Sequence, residues 1–225
     1  MSVLTTSGSP TFNGDGSCTI DSTGSDIVQG PSNLLNPAQM WFAARVRIGF
    51  ASTDVTNHRF FTWGPDTNSE LFIEWTTSSQ VGTGRDKAGS GGEQQVIPGA
   101  FSINTDHTVV GTWTATLTNV SWDGAAFAAG VSNTNTDTPV GNRPVFDIGC
   151  RAYTPANWGP FTYWWVAAGT GTLADADAAT LNAFGNTDPT LDALPGNPTF
   201  LWTCDDTSFQ PVYAPAHTFN AIPFT

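Results

Sequence analysis

Residues 146–185 read FDIGCRAYTPANWGPFTYWWVAAGTGTLADADAATLNAFG, and they contain the signals that decide the fold. From Phe161 to Ala167 large apolar residues fall on both faces of an alternating pattern, which predicts a strand covered on both sides. The spacing then changes to that of a short helix near 173–184, with Gly185 placed to end it. A polar loop with two prolines precedes the strand, so this part of the chain predicts strand, loop, strand and helix.

Outside that stretch, residues 40–50 show the most regular alternation in the chain, which predicts a strand with one core face and one partly wet face. The polar, Gly-rich residues 78–99 predict either a long exposed connection or a wide hairpin. Shorter alternating runs that predict further strands lie at 59–63, 71–76, 107–113 and 200–204. With 23 Gly, 15 Pro and only 12% charged residues, the composition favours many short strands joined by turns.

The strand that begins Gly159-Pro160-Phe161, followed by the helix that begins Thr172-Leu173-Ala174-Asp175, resembles the concanavalin A-like (laminin G-like) jelly-roll family. His107 and Trp122-Asp123-Gly124 occupy places where the family has similar residues. The resemblance implies an all-β fold, a two-sheet antiparallel β-sandwich with one short helix. It covers residues 17–205, which leaves residues 1–16 as an N-terminal arm and residues 206–225 as a Pro-rich tail packing on the domain or on a neighbour.

The chain is strongly acidic, with a net charge of −12 and a pI near 4.2, so nucleic acid is excluded as a partner. No run approaches the ~20 apolar residues that span a bilayer, so no membrane insertion is expected. The first residues show no basic start and no apolar run, which predicts synthesis in a cytoplasm without a signal peptide. Three cysteines are too few for a disulfide framework and are predicted to be buried thiols.

Glycosidases of the resembled family carry E-x-D-x-x-E along one strand. Here Glu70 and Glu74 share a strand face about 13 Å apart, with Phe72 between them, whereas a retaining pair needs about 5.5 Å. No other catalytic motif occurs, and the histidines are scattered. The sequence therefore predicts no enzyme and no catalytic residue.

Lectins of this fold often hold calcium through loop oxygens, and a hard cation takes six or more such ligands. Asp54, Asp66, Asp137 and Asp147 are available but form no D-x-D-x-D run. No cofactor is expected, and calcium stays open as an alternative.

Sugar rings stack on exposed aromatic side chains and are fixed by polar neighbours, and a large aromatic in a loop is hard to bury. The predicted ligand-binding residues are Trp63 and Asp66, in a loop over residues 63–70, and Tyr153, Asn157 and Trp158, in a loop over residues 151–160. The alternative is that these tryptophans plug one end of the sandwich or pack against a neighbouring subunit of a homo-oligomer.

A sandwich of this family without catalytic carboxylates implies an adhesion or recognition module for glycans or proteins. The leading hypothesis is a non-catalytic structural protein on a virion surface, such as that of a tailed phage. It would be a capsid decoration or tail-associated protein with glycan-binding capacity, whose partners are shell or tail proteins. A soluble carbohydrate-binding module or lectin is the alternative, and a glycoside hydrolase with an unusual site is the third.

Overall fold

A computed structural model of the protein describes residues 4–20, 26–36, 38–66, 69–87, 90–96, 98–127, 131–132, 143, 145–151 and 158–204. Within these residues the chain forms strands of two to ten residues, one α-helix and two 3-10 turns at Ser32–Leu34 and Leu191–Ala193. The elements are β1 (Thr5–Ser7), β2 (Thr11–Phe12), β3 (Cys18–Ile20), β4 (Ile27–Pro31), β5 (Gln39–Ile48), β6 (His58–Asp66), β7 (Ser69–Trp75), β8 (Val81–Lys87), β9 (Ser90–Val96), β10 (Thr105–Thr114), β11 (Leu117–Trp122), β12 (Val131–Ser132), β13 (Val145–Ile148), β14 (Phe161–Thr170), α1 (Asp175–Ala183) and β15 (Asn197–Trp202).

The strands form two antiparallel sheets that stack as a β-sandwich, which confirms the predicted fold class. The seven-stranded sheet has the order β1-β4-β13-β6-β7-β8-β9. The eight-stranded sheet has the order β12-β11-β10-β5-β14-β3-β2, with β15 also paired to β14. Many sheet neighbours are distant in sequence, as β5 and β14 are, because the chain crosses repeatedly between the two layers as in a jelly roll.

The main core lies between the two sheets. In β5 the predicted alternation is confirmed, because every second residue from Met40 to Ile48 is fully buried against the opposite sheet. Phe42 of β5 meets Phe61 of β6 across the layers, with ring centroids 4.4 Å apart. Burial of each such side chain stabilises the fold by about 1.5 to 3 kcal/mol.

A second apolar cluster covers the outer face of the eight-stranded sheet. Trp165 and Ala167 of β14 pack there with Leu181 of α1, while Tyr163 and Val166 face the main core. The prediction that β14 is covered on both sides is therefore confirmed. The indole N–H of Trp165 donates to the carbonyl of Gly185, 2.9 Å away, which ties the end of α1 to the strand.

Predictions for the Gly-rich segment and for the two ends of the chain can also be compared with the structure. Within residues 78–99, Val81–Lys87 and Ser90–Val96 pair antiparallel as β8 and β9, so the hairpin alternative is correct. The segment predicted as an N-terminal arm supplies β1 and β2 to the edges of the two sheets, and residues 206–225 lie outside the described residues. In the described part of the chain no helix has the length and apolar character needed to cross a membrane.

The three cysteines are free and buried, as predicted. Burial, together with the nearby Asp26 carboxylate, raises the pKa of the Cys18 thiol to about 12. Burial likewise raises the pKa of Cys150 and of Tyr163. These groups are neutral core residues at neutral pH.

Candidate functional site

The outer face of the eight-stranded sheet is covered by α1 over only part of its length. Along β5 this face carries Trp41 and Ala43, which are buried, and then Arg45 and Arg47, which are partly exposed. The Arg47 side chain is 38% exposed. The end of β5 that carries the arginines is therefore open to ligands, and we call Arg45, Arg47, Asp106, Trp164 and Asn186 together the Arg47 patch.

Arg47 is fixed by a two-pronged ion pair with Asp106, its directly opposite neighbour on β10. Its Nε donates to Oδ1 at 2.8 Å and its Nη2 to Oδ2 at 3.1 Å. The guanidinium carbon also lies 5.3 Å from the ring centroid of Trp164, within cation–π range. Hydrogen bonding to Asp106 raises the pKa of Arg47. The guanidinium is therefore held in one orientation before any ligand arrives.

The carboxylate of Asp106 has no hydrogen-bonding capacity left for a ligand. Besides the two bonds from Arg47, Oδ1 accepts the indole N–H of Trp164 at 3.3 Å and Oδ2 accepts the amide N–H of Asn186 at 2.8 Å. A carboxylate offers about four acceptor positions, and all four are used. Burial alone would raise the pKa of Asp106, but these hydrogen bonds outweigh burial and leave the pKa below its usual value.

The groups left for a ligand are therefore mainly donors. The two prongs to Asp106 leave Nη1 of Arg47 without a partner among the described residues. Arg45 donates from Nε to Oδ1 of Asn186 at 2.9 Å, which fixes the amide orientation. The patch is thus a rigid set of N–H groups on a protein of net charge −12, and it suits ligands rich in hydroxyl oxygens.

A cleft of about 220 Å³ opens beside Arg47. Thr162 and Thr19 line it and their hydroxyl oxygens lie 3.0 Å apart, so this side of the cleft offers hydroxyl groups that both donate and accept. The lining residues are Thr19, Ile20, Arg47, Gly49, Asn104, Pro160 and Thr162.

The five residues predicted to bind ligand do not form one described site. Trp63 lies inside β6 and not in a loop, only 4% of it is exposed, and its indole N–H donates to the carbonyl of Arg143 at 3.4 Å. Asp66 is the last residue of β6, and its side chain is not among the described parts of the structure. Tyr153 and Asn157 lie outside the described residues. Trp158 is half-buried, and its carbonyl accepts a hydrogen bond from Nδ1 of His58 at 2.8 Å.

Trp63 and Trp158 hydrogen-bond different parts of the chain. Trp158 bonds His58 at the start of β6, and Trp63 follows five residues later on that strand, which corresponds to about 16 Å. Trp158 lies two residues before Pro160, which lines the cleft beside Arg47. The described end of the predicted 151–160 loop therefore reaches the cleft beside Arg47, whereas Trp63 belongs to the core.

Sequence reasoning missed Asp106, Trp164 and Asn186 as members of a site. The available signal was the pair Arg45 and Arg47, two cations on one face of a strand that is otherwise apolar. Their partners come from β10, β14 and the segment after α1, so only the strand pairing brings them together.

The two glutamates considered for catalysis lie in a buried ion network on the outer face of the seven-stranded sheet. Arg59 donates from Nη2 to Glu70 at 2.9 Å, and its Nε lies 2.9 Å from Glu74. Arg151 adds a 2.6 Å contact to Glu70, and Phe72 lies between the glutamates, as predicted, beneath the Arg59 guanidinium. A glycosidase needs two carboxyl groups that face a sugar, whereas Glu70 is fully buried and faces arginines.

The calcium candidates are dispersed. Asp147 is fully buried and binds Arg143 through both carboxylate oxygens at 2.6 and 2.7 Å. Asp54 accepts the N–H of Thr56, and Asp137 lies outside the description. Among the described residues no three His, Cys, Asp or Glu side chains come together as a metal site.

No protein-family model and no curated protein sequence matches this chain. Solved structures do share the sandwich. The binding domain of botulinum neurotoxin DC, in complex with rat synaptotagmin II, superposes with a TM-score of 0.60 at 10% identity, covering 81% of this chain and 46% of that one. The chain thus spans just under half the length of that neurotoxin chain.

Two further structures are similar. Domain 4 of AbnA, a GH43 extracellular arabinanase from Geobacillus stearothermophilus, in complex with arabinotriose, has a TM-score of 0.55 at 13% identity, covering 78% of this chain and 81% of that one. A Trypanosoma rangeli sialidase mutant displaying trans-sialidase activity has a TM-score of 0.51 at 16% identity, covering 71% of this chain and 26% of that one. At such identities the likeness establishes the β-sandwich fold.

Proposed function

We propose that this protein is a non-catalytic recognition module that binds glycans through the Arg47 patch. The observation that carries the proposal is the ion pair between Arg47 and Asp106. Together with the hydrogen bonds from Trp164 and Asn186 it uses every acceptor of the carboxylate, and it leaves an oriented guanidinium beside a hydroxyl-lined cleft. Asp106 acts as the clamp that positions Arg47 and Asn186, and the ligand contacts fall to those two residues and Thr162.

The arrangement suits sugar hydroxyls for two physical reasons. A hydroxyl oxygen accepts the charge-assisted hydrogen bond of Arg47, a bond that contributes about 1.5 to 3 kcal/mol, while its hydrogen can be donated to Thr162. Because Asp106 and Trp164 hold the guanidinium in place, little side-chain entropy is lost on binding. Neither step requires a bond of the ligand to be cut.

Binding to a panel of oligosaccharides tests the proposal. Arabinotriose is the first probe because a neighbour of the same fold is solved with it. Isothermal titration of the best ligand is expected to show at least a tenfold loss of affinity for Arg47→Met, which keeps the side-chain stem and removes the charge. Equal affinity of Arg47→Met and the unchanged protein would refute binding at the patch.

Trp158→Ala provides a comparison for the loop site predicted from the sequence. If Trp158→Ala abolishes binding and Arg47→Met does not, the ligand lies on the 151–160 loop and not on the Arg47 patch. Trp158 is two residues before Pro160, which lines the cleft beside Arg47. A partial loss of ligand affinity in Trp158→Ala therefore agrees with binding at the patch.

We further propose that this module lies on a virion surface, as a capsid decoration or tail-associated protein. It would be made in a cytoplasm and bound to shell or tail proteins. Its support is the family resemblance of the sequence. Co-purification of the protein with particles, and a particle reconstruction with this sandwich in it, test the placement. Particles that lack the protein would contradict it.

A protein receptor is the second candidate partner, because the neurotoxin binding domain of the same fold is solved with rat synaptotagmin II. A soluble carbohydrate-binding module is the alternative to a virion component, and light scattering of the purified protein tests whether it forms a homo-oligomer. A sugar-release assay on the ligands found tests the glycosidase alternative, for which no release is expected.

A further inference from the structure

The cleft beside Arg47 is too small to enclose a glycan chain by itself. Its volume is about 220 Å³, whereas clefts that enclose a small ligand usually measure about 300 to 1,000 Å³. The cleft therefore accepts only part of a longer glycan, and the rest of that glycan has to lie on the surface around it. The arrangement of the sheet decides in which direction the glycan can continue.

Cross-strand pairing places polar residues of five neighbouring strands in one row. Arg47 of β5 lies directly opposite Asp106 of β10 on one side and opposite Thr162 of β14 on the other. Thr162 lies opposite Thr19 of β3, and Thr19 lies opposite Thr11 of β2. Directly opposite residues share one face of a sheet, so all five side chains are on the outer face. We call Thr162, Thr19 and Thr11 together the hydroxyl row.

Side-chain contacts along the hydroxyl row agree with this pairing. The hydroxyl oxygens of Thr19 and Thr162 lie 3.0 Å apart. Phe12, which follows Thr11, packs against the main core, so Thr11 points away from the core and is exposed. From Arg47 to Thr11 the row spans three strand spacings, which is about 14 Å. A sugar ring in a chain is about as long as one strand spacing, so this length accommodates about three rings.

The opposite direction, past Asp106, offers a ligand little to bind. Every acceptor of the Asp106 carboxylate is used, and Asn186, just after α1, lies against it with an N–H bond of 2.8 Å. Trp164 is almost fully buried and lies beside the Arg47 guanidinium on the side of the strand that leads to α1. Within the part of the chain that the structure describes, the open direction is therefore along the hydroxyl row.

The hydroxyl row suits an uncharged ligand. Each threonine hydroxyl both donates and accepts hydrogen bonds, as sugar hydroxyls do, and Asn13 orients the Thr19 hydroxyl by donating to it at 3.0 Å. Asp15, between β2 and β3, is exposed, and its negative charge acts on Arg47. This carboxylate and the net charge of −12 repel carboxylate and sulfate groups of an acidic glycan.

We propose, on the premise that the Arg47 patch binds glycans, that the ligand is an uncharged linear oligosaccharide of about three rings lying across β5, β14, β3 and β2. The first ring occupies the cleft, where a hydroxyl oxygen accepts from Arg47 and a hydroxyl hydrogen is donated to Thr162. The second ring binds the Thr19 hydroxyl, and the third binds the Thr11 hydroxyl. Because β2 is the last strand of this row, further rings gain no contact with the sheet.

Isothermal titration of the full chain with oligosaccharides of defined length tests the inference. The probes are arabino-, cello- and laminari-oligosaccharides of one to five rings, three series of uncharged chains. In at least one series the affinity is expected to rise about threefold to tenfold from the two-ring to the three-ring member and to level off after it. Equal affinity of the two-ring and three-ring members in every series that binds, or no binding by any of the three series, would overturn the inference.

A matched pair of variants locates the third ring. Thr11→Val removes the outermost hydroxyl and keeps the shape of the side chain. It is expected to weaken binding of the three-ring ligand about threefold to tenfold, as for one lost neutral hydrogen bond, and to leave the two-ring ligand unchanged. Thr6→Val makes the same change on β1, an exposed edge strand of the other sheet, and is expected to affect neither ligand. A Thr11→Val protein that binds both ligands as Thr6→Val does would overturn the placement along the row.

Arg47→Met distinguishes failure of this inference from failure of the proposed function. If Arg47→Met weakens a glycan that Thr11→Val binds normally at every chain length, the patch binds glycans and the inference falls. The same conclusion holds if the tightest ligand that depends on Arg47 is a single ring or an acidic glycan. If Arg47→Met binds every glycan as the unchanged protein does, the proposed function and the inference both fall.

Discussion

Replacing Arg59 with methionine is expected to lower the free energy of unfolding by about 3 to 5 kcal/mol. Arg59 is 3% exposed and contacts both Glu70 and Glu74 at 2.9 Å, and its guanidinium carbon lies 3.9 Å from the centre of the Phe72 ring. Methionine keeps much of the apolar stem but removes the charge, so Glu74 loses this cation in a setting with little access to water.

Arg47→Met is the matched comparison because it makes the same substitution in an exposed ion pair. The Arg47 side chain is 38% exposed and that of Asp106 is 19% exposed, so solvent screens the pair and the expected loss is at most about 1 kcal/mol. The difference between the two variants, about 2 to 5 kcal/mol, is a large share of the ~5 to 15 kcal/mol typical of a domain.

Urea unfolding followed by tryptophan fluorescence measures the stability of both variants. Equal slopes of the unfolding free energy against urea concentration in the variants and the unchanged protein confirm that unfolding exposes the same surface in each. Arg59→Met/Glu74→Gln is expected to regain part of the loss because it removes the carboxylate left behind. An Arg59→Met protein within about 1 kcal/mol of the unchanged chain would refute the claim that this network is buried and paired.

Three further results are expected. The pKa of Cys18 is about 12 in the folded chain and ~8.5 in the unfolded chain, so between these pH values only the unfolded chain loses the thiol proton. The stability contributed by this group is complete below pH ~8.5 and falls by ~1.4 kcal/mol per pH unit above it. Urea midpoints measured from pH 8 to 10 should therefore fall less steeply for Cys18→Ala than for the unchanged protein. Ellman's reagent at pH 8 should modify the three buried thiols only after unfolding, and fast reaction of the native protein would contradict their burial. Gly111→Ala should cost about 1 to 3 kcal/mol because its Cβ would lie 2.7 Å from Ile73, whereas Gly14→Ala, with nothing within 4 Å, should be nearly neutral in the same urea assay.

The strands with strong alternation could be predicted from the sequence because burial alone produces their pattern. Every second residue of β5 faces the core, and β14 is apolar on both faces because α1 and its neighbours cover the outer one. A period of two needs no knowledge of the partner strand.

Trp63 shows where that reasoning fails. The sequence placed Trp63 at the start of a loop over residues 63–70, but β6 continues to Asp66, and its pairing with β7 shifts register between Trp63 and Asp66. Such a shift lets a strand run through residues that usually end one. The tryptophan therefore belongs to the core and not to a binding loop.

The Arg47 patch could be predicted only in part. The alternation places Arg45 and Arg47 on the wet face of β5, but Asp106 faces Arg47 through the pairing of β10 with β5. Trp164 joins them because the pairing of β14 with β5 shifts register between Tyr163 and Trp165. Cross-strand register of this kind is set by the whole sheet and is not visible in one segment.

The most direct test of the central claim is the affinity of the best oligosaccharide for the unchanged protein and for Arg47→Met, measured by isothermal titration, with the ligand analysed for cleavage afterwards. Non-catalytic recognition at the patch predicts at least a tenfold weaker interaction for Arg47→Met, an unfolding free energy within about 1 kcal/mol, and intact ligand. Equal affinities, or a ligand recovered in pieces, would contradict it.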